Sequence, residues 1–299
     1  MGKRERIRVR YQGVWLSVLL VVGLGCAGPA KTGVDLKARA IELNDAGYDF
    51  YRQSRWNLAE QKFAQALKYN RLIDRRVGIA ANLNNLGVIA QEQGDSDRAV
   101  TYFQEALGIN RDLEDPRGLS ETLNNLGVAN LALGKPRAAA DAFEQALAQA
   151  RLVPSGPLEA LSLMHLGDAA RERREYDLAL NCYHQALRVD ETRKDARGRA
   201  MRWERLGRTF LDLKDYGRSR MYLADALKEF RGLQDTDGIS ETLKDLTGLA
   251  LAQGDREEAA LNGKLLLEIY EARGQEREAK KLEAWLKGKG AASGEGKAE

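Results

Sequence analysis

Apolar and small residues recur along this chain with a period of forty residues. The glycine column of this pattern contains Gly47, Gly87, Gly127, Gly167 and Gly207, with Thr247 in the sixth place. Alanine recurs twelve and nineteen residues after the glycine, and an aromatic residue recurs sixteen after it, as in Ala99, Phe103 and Ala106. A fixed period of this size is typical of stacked structural repeats, so the pattern predicts a solenoid.

Each unit reads as two helices joined by a turn. In the second unit Leu83, Leu86 and Ile89 lie at helical spacing, and Gly94-Asp95 then predicts a turn, because Gly adopts unusual backbone angles and Asp caps helix starts. The following segment is again apolar at helical spacing, around Phe103. Small residues let packed helices approach closely, and the aromatic side chain is expected to fill the space between them.

The order and spacing of the Leu-Gly pair, the alanine, the aromatic residue and the second alanine resemble the tetratricopeptide repeat. The resemblance covers residues 35–274. It implies an all-α fold, an α-solenoid of about six helix-turn-helix repeats. The common unit has thirty-four residues rather than forty; the extra six lie after the second alanine, where we expect them to lengthen the second helix and the connection. Longer units of this kind look like those of kinesin light chain and related peptide-binding arrays.

The two ends of the array differ from its middle. Residues 275–287 form an amphipathic segment with Ala279, Leu282, Trp285 and Leu286 on one side, which suits the capping helix that a solenoid needs at its end. Residues 288–299 are Gly, Ala, Ser and charged residues, and this composition predicts a disordered tail.

The N-terminal residues indicate export. A basic segment precedes an apolar run from Val14 to Gly25, which is shorter than the roughly twenty residues that span a bilayer. This order predicts a signal peptide at residues 1–25. Gly25-Cys26 resembles the bacterial lipobox, which implies that Cys26 is lipidated and that residues 26–34 form a tether, although Gly23 and Leu24 depart from the usual pattern. An ordinary cleaved signal or an uncleaved anchor is the alternative.

The lipoprotein resemblance also implies a location. Ala27 follows the cysteine, where an Asp would favour retention in the inner membrane. We therefore expect an outer-membrane lipoprotein of the bacterial cell envelope that faces the periplasm.

Charge and cysteine content narrow the function further. The formal net charge of +3 arises mainly in the basic N-terminal segment, so no general basic field favours nucleic acid. If Cys26 is acylated, Cys182 has no partner within the chain, and we expect it to be a partly buried, inert thiol. Pairing between two chains is a minor alternative.

Residues with catalytic potential do not group in the sequence. The two histidines, His165 and His184, fall on different predicted helices, and no Cys or carboxylate has the spacing that completes a metal site. Neither a phosphate-binding glycine loop nor a nucleophile elbow is present. We therefore expect no enzyme activity, no metal and no cofactor.

Binding of a protein or peptide has better support. In tetratricopeptide arrays the first helices line the concave face, and this implies partner-binding positions close to the glycine column. The candidates are Asn84, Asn85, Asn124, Asn125, Val128, His165, Arg205 and Arg208. A side-chain amide can engage both polar groups of an extended peptide backbone, but asparagine is equally expected as a tolerated polar residue on a wet face.

The far end of the array leaves two interpretations open. Arg171, Arg205, Arg208 and Lys244 form a basic surface for an acidic segment, or they pair with the interspersed Asp168, Glu204 and Asp245. The sequence as a whole indicates a membrane-anchored scaffold or assembly factor for protein partners. A peptide-sensing regulator and an accessory factor for cell-wall enzymes are the alternatives.

Overall fold

The structure is a computed structural model that describes residues 35–154 and 156–292. The predicted signal peptide, Cys26, the whole predicted tether and residues 293–299 therefore lie outside the described residues. The described part of the chain forms thirteen α-helices: α1 Leu36–Arg52, α2 Trp56–Leu72, α3 Arg76–Glu92, α4 Ser96–Asp112, α5 Pro116–Ala132, α6 Pro136–Ala150, α7 Gly156–Glu172, α8 Tyr176–Thr192, α9 Ala196–Asp212, α10 Tyr216–Gly232, α11 Thr236–Gln253, α12 Arg256–Ala272 and α13 Glu276–Ala292.

Consecutive helices pack as antiparallel pairs, and each pair packs on the next. Each first helix makes its most extensive contacts with the second helix of its own repeat: α1 with α2, α3 with α4, and so on to α11 with α12. The predicted all-α solenoid of six repeats is thereby confirmed. The thirteenth helix packs on α12, which is the position of a cap. It continues to Ala292, so residues 288–292 are helical and do not belong to a disordered tail; Ala291 and Ala292 favour helix.

The turns that end the helices recur at multiples of twenty residues, although no single residue type occupies those positions throughout the sequence. Eleven residues with positive φ lie at intervals that are multiples of twenty, from Ser54 to Gly274. Only four of them are glycine, so most of these turns have no glycine signal. The turns within repeats and the turns between repeats are both short. The connection after the second helix is therefore not lengthened, contrary to the expectation. Nearly all of the helices have 17 residues, so the extra residues of the forty-residue unit lie in helices.

Aspartates begin many of the helices. Asp95 Oδ1 accepts a hydrogen bond of 3.1 Å from the backbone N–H of Arg98, and Asp35, Asp115, Asp195, Asp215, Asp235 and Asp255 cap their helices in the same way. Each cap satisfies a backbone donor that the helix leaves unpaired.

The glycine column meets the aromatic column inside each of the first four repeats, as predicted, and in the fifth repeat Gly207 meets Leu223 instead. A Cβ on Gly47 would lie 2.6 Å from Cε1 of Phe63, and a Cβ on Gly167 would lie 2.5 Å from Cε1 of Tyr183. Both aromatic side chains are at most 1% exposed. The ring thus occupies the space that glycine leaves open, and this contact sets how closely the two helices of a repeat approach.

Candidate functional site

The first helices of successive repeats line one face of the array. Besides its contacts with the second helices, α3 contacts α5, α5 contacts α7, α7 contacts α9 and α9 contacts α11. No contacts of this strength join neighbouring second helices within the described residues, so the array curves with the first helices inside. We call the inner surface the first-helix groove. It consists of the side chains two, three and six residues before the glycine column and one, four and five after it.

Asn84 and Asn124 hold neighbouring repeats together. The Asn84 amide donates a hydrogen bond of 2.7 Å to Thr122 Oγ1 on the next first helix, and the Asn124 amide donates one of 2.9 Å to Ser162 Oγ. Asn124 is only 2% exposed. The prediction that Asn124 contacts a partner is therefore wrong, and the Asn84 amide is already used. Asn82 to Asn44 repeats the link at the first interface, at 2.8 Å.

Asn85 and Asn125 differ in what they can offer to a partner. Asn85 accepts a hydrogen bond of 3.0 Å from the Tyr48 hydroxyl and donates one of 3.1 Å to Asn44. Asn125 is half-buried and has no hydrogen bond to the rest of the described chain. Of the four predicted asparagines, Asn125 therefore keeps its donors and acceptor available.

Apolar side chains flank Asn125 in the groove. Val88 and Val128 are half-buried and occupy the position one residue after the glycine on α3 and α5. Tyr48 lies in the same column on α1, with its ring 5.2 Å from that of Phe63 in an edge-on arrangement. The groove over the first three repeats thus combines an available amide with aliphatic and aromatic surface, which suits an extended peptide.

His165 does not face a partner. It is 5% exposed and stacks on Phe143, with ring centroids 5.1 Å apart and planes at 18°. Burial lowers the pKa of His165 to about 4, so the imidazole is neutral at physiological pH. The prediction that His165 binds a partner is wrong, because its aromatic surface is used in the core.

Arg205 and Arg208 pair with acidic residues rather than forming a basic surface. Arg205 Nε lies 3.0 Å from Asp168 Oδ1, and Arg208 Nη2 lies 2.8 Å from both Glu204 Oε1 and Asp245 Oδ2. Burial disfavours the Asp168 carboxylate, but Arg205 and neighbouring cations outweigh it and lower the pKa. Of the two interpretations of this end, the structure supports pairing within the chain.

Several of these contacts follow one rule. The side chain one residue after the glycine of one repeat meets the side chain two residues before the glycine of the next. Tyr48 with Asn85, Asp168 with Arg205 and Arg208 with Asp245 are all such pairs. At the interface between the second and third repeats these positions hold Val88 and Asn125. Asn125 is left unpaired because the valine opposite it cannot form a hydrogen bond; a second valine, Val128, holds the same position opposite His165.

A second concave feature lies among the second helices. Its volume is about 600 Å³, and Ala64, Leu67, Lys68, Arg71, Leu72, Leu86, Tyr102 and Glu105 line it. Arg71 and Glu105 form an ion pair of 2.6 Å at its rim. This cavity is a rival to the groove as a binding surface.

Cys182 is 3% exposed, so the thiol is more fully buried than expected, and burial raises its pKa to about 11, which disfavours the reactive thiolate. Within residues 35–154 and 156–292, no three His, Cys, Asp or Glu side chains are grouped so that they could hold a metal ion. None of the described helices is both long and apolar enough to cross a bilayer.

Comparison with known families identifies the repeat. The tetratricopeptide repeat model matches residues 38–112, 78–152 and 118–192, and a second tetratricopeptide repeat model matches residues 165–233. Among curated proteins, no sequence matches this chain.

Solved structures share the fold at low sequence identity. PilW, described as a widely conserved type IV pilus biogenesis factor, has 18% identity and a TM-score of 0.60 over 81% of this chain and 97% of its own. A Rap protein in complex with competence and sporulation factor has 14% identity and a TM-score of 0.65 over 87% of this chain and 76% of its own. BtubC from P. vanneervenii has 19% identity and a TM-score of 0.59 over 81% of this chain and 93% of its own.

Proposed function

The chain belongs to the tetratricopeptide repeat family, and from this premise we propose a membrane-anchored scaffold or assembly factor of the bacterial cell envelope. It recruits protein partners in the first-helix groove and has no catalytic role of its own. The observation that carries this proposal is the available amide of Asn125 between Val88 and Val128. An extended segment can place its backbone against the amide and its apolar side chains against the valines.

The proposed anchor is a lipid on Cys26. It is supported by the basic segment, the apolar run from Val14 to Gly25 and the Gly25-Cys26 pair. Nine residues separate Cys26 from the start of α1 at Leu36, a reach of at most roughly 32 Å when extended. The array would therefore stay close to the bilayer, on the periplasmic side of the outer membrane.

Two similar folds favour different versions of this role. PilW is a pilus biogenesis factor, and an assembly role for this chain agrees with an envelope anchor. The Rap protein is in complex with competence and sporulation factor, and the corresponding alternative for this chain is a regulator that senses a peptide in its groove. An accessory factor for cell-wall enzymes is a third version of the same binding role.

Site-specific photo-crosslinking in the native envelope tests the groove. A photoreactive phenylalanine replaces Val88 or Val128, and matched controls replace Met221 and Leu261, which are 51% and 60% exposed on second helices. We expect covalent adducts from the two groove positions and none from the controls. Adducts of protein size favour the scaffold, and adducts of peptide size favour the sensor. Adducts from the second helices alone would contradict binding in the groove.

A further inference from the structure

The first-helix groove carries more acid than base. Its positions hold nine Asp and Glu residues and five Arg and Lys residues. The described range as a whole is close to neutral, with 40 Lys and Arg against 41 Asp and Glu. The negative charge is therefore concentrated on the inner face of the array.

Ion pairing within the chain increases the excess of unpaired negative over unpaired positive side chains in the groove. All five basic groove residues have a carboxylate partner: Arg52 with Asp49, Arg171 with Asp212 at 2.9 Å, Arg205 with Asp168 at 3.0 Å, Arg208 with Asp245 at 2.8 Å, and Lys244 with Glu241 at 2.7 Å. Asp45, Glu121 and Glu172, in contrast, form no ion pair within residues 35–154 and 156–292. Every basic side chain of the groove is thus paired with a carboxylate, whereas three of its carboxylates form no ion pair within the described residues.

Two of these carboxylates have raised pKa values, which indicates that nearby positive charge does not fully compensate their burial. Burial raises the pKa of Glu121, and Arg117 offsets this only in part. Burial and the nearby Asp168 raise the pKa of Glu172, and Arg171 offsets this only in part. A cation bound beside either carboxylate would reverse the effect, because an opposite charge favours the ionised form.

A buried acceptor in the groove points the same way. Asp168 is 6% exposed, and its Oδ1 is taken up by the Tyr183 hydroxyl at 2.8 Å and Arg205 Nε at 3.0 Å. Its other oxygen, Oδ2, has no hydrogen-bond donor in the described part of the chain. This oxygen is out of a ligand's direct reach, so Asp168 contributes to the groove through its negative charge rather than through a contact.

We propose that the natural occupant of the first-helix groove is an extended, basic segment of a protein partner. Its backbone contacts Asn125, its apolar side chains contact Val88 and Val128, and its Lys or Arg side chains pair with Asp45, Glu121 and Glu172. The inference rests on the function proposed above, because it names the partner of the same groove.

Three synthetic peptides of one length test the charge preference. Each has twelve residues with valine at alternate positions, and the remaining positions hold lysine, glutamine or glutamate. Binding to the protein is measured by fluorescence anisotropy at low and high salt. We expect the lysine peptide to bind at least tenfold more tightly than the glutamate peptide, with a difference that shrinks as salt screens the charges.

Matched variants locate the effect. The groove variant combines Asp45→Asn, Glu121→Gln and Glu172→Gln. Its control combines Glu144→Gln, Asp225→Asn and Glu268→Gln, three exposed carboxylates on second helices with the same total charge. The groove variant should weaken the lysine peptide at least tenfold and the control less than twofold. A separate change, Asn125→Ala, should weaken all three peptides alike, because it removes a backbone contact.

The outcomes separate this inference from the function on which it rests. Equal binding of the lysine and glutamate peptides, or equal effects of the two triple variants, would overturn the basic partner. If groove crosslinks at Val88 and Val128 persist in that case, the scaffold proposal stands. If those crosslinks are also absent, both proposals fail.

Discussion

Gly238 on α11 lies directly against Phe230 on α10, where a Cβ would be 2.5 Å from Cγ of the phenylalanine. At the other interfaces between repeats, the equivalent two positions also place a larger residue against a smaller one. Asn70 faces Gly78, Asn110 faces Gly118 and Asp190 faces Gly198. At the remaining interface the small residue is on the other side, with Ala150 and Leu158 both buried. Each interface therefore has one large and one small residue.

Exchanging the sizes at one interface tests this relationship. Gly238→Leu alone should destabilise by about 1–3 kcal/mol through overpacking, and Phe230→Ala alone by about 3–5 kcal/mol through a cavity. The double variant reproduces the arrangement of Ala150 and Leu158 and should be more stable than the sum predicts by about 1 kcal/mol or more. Urea denaturation of all four proteins measures the coupling. Strict additivity would show that the two side chains do not compete for the same space.

The sequence predicted the architecture because the columns that form each repeat are regular. Gly47 with Phe63 and Gly167 with Tyr183 recur at one spacing, and a fixed spacing identifies helices that pack in one way. The contacts between repeats vary in chemistry from one interface to the next. Asn, Ala, Asp and Phe share one column there, so no residue type recurs and the pattern is visible only in space.

The site was predicted less well than the fold for a related reason. Asn124 and Asn125 are adjacent in sequence, yet one is buried against Ser162 and the other faces the groove. A position in a helical column does not specify whether the neighbouring helix supplies a hydrogen-bond partner. For Asn125 the absence of a partner depends on Val88, 37 residues earlier on the neighbouring first helix. This pairing rule became apparent only from the structure.

Two glycines of the second repeat should respond in opposite ways to the same substitution. A Cβ on Gly87 would lie 2.7 Å from Cδ1 of Phe103, whereas a Cβ on Gly108 would meet nothing within 4 Å. Gly87→Ala should therefore lower the thermal midpoint, since the ring must move within a packed core. Gly108→Ala should stabilise by about 0.5–1 kcal/mol, because it adds helix propensity without a clash. Thermal unfolding monitored by circular dichroism compares them, and a similar shift for both would contradict the assigned packing.

Thr122 accepts hydrogen bonds from two buried amides, and its loss should affect stability without affecting binding. Asn84 and Asn110 donate to its Oγ1 at 2.7 Å and 2.9 Å. Thr122→Val keeps the shape and leaves both donors unpaired, at a cost of about 1–3 kcal/mol for each unsatisfied group. Thr101→Val is the matched control, because that hydroxyl is exposed and bonds only to Asp97 of its own helix. Crosslinking from Val128 should persist in both variants. If crosslinking disappears in Thr122→Val alone, Asn84 and Asn110 would have a role in binding.

Replacement of Cys26 tests the proposed anchor independently of the array. In the Cys26→Ser variant we expect the protein to leave the membrane fraction or to remain unprocessed, since the thiol is the atom that carries the lipid. Fractionation followed by mass spectrometry of the N-terminus provides the measurement. Cys182→Ser serves as the control and should remain membrane-bound, because that thiol is buried in α8. An unmodified Cys26 in a retained N-terminus would exclude lipidation.

His165 should make the array less stable in acid. Burial lowers its pKa from 6.5 to about 4 in the folded state. Below pH 6.5 the unfolded chain therefore takes up a proton that the folded chain does not, and the free energy of unfolding falls as the pH falls towards 4. Between pH 6.5 and pH 5 the loss is about 2 kcal/mol, because each pKa unit corresponds to about 1.4 kcal/mol.

Asp245 acts in the opposite direction over part of this range. Burial, together with the nearby Glu204, raises its pKa against the effect of Arg208. Its contribution to stability is present below its ordinary value of 3.8 and is lost as the pH rises through its raised value. Acidification therefore recovers some stability through Asp245 while it removes stability through His165, and the unmodified protein should show a shallower dependence than His165 alone predicts.

Variants separate the two contributions. His165→Phe preserves an aromatic ring against Phe143 and should abolish the loss between pH 6.5 and pH 5. His184→Asn is the comparison: burial also lowers the pKa of this less buried side chain, so the change should reduce the loss by less than His165→Phe does. Asp245→Asn should make the loss steeper, since the opposing contribution disappears. Urea denaturation at several pH values measures all three, and a His165→Phe variant with an unchanged pH slope would mean that another group titrates in this range.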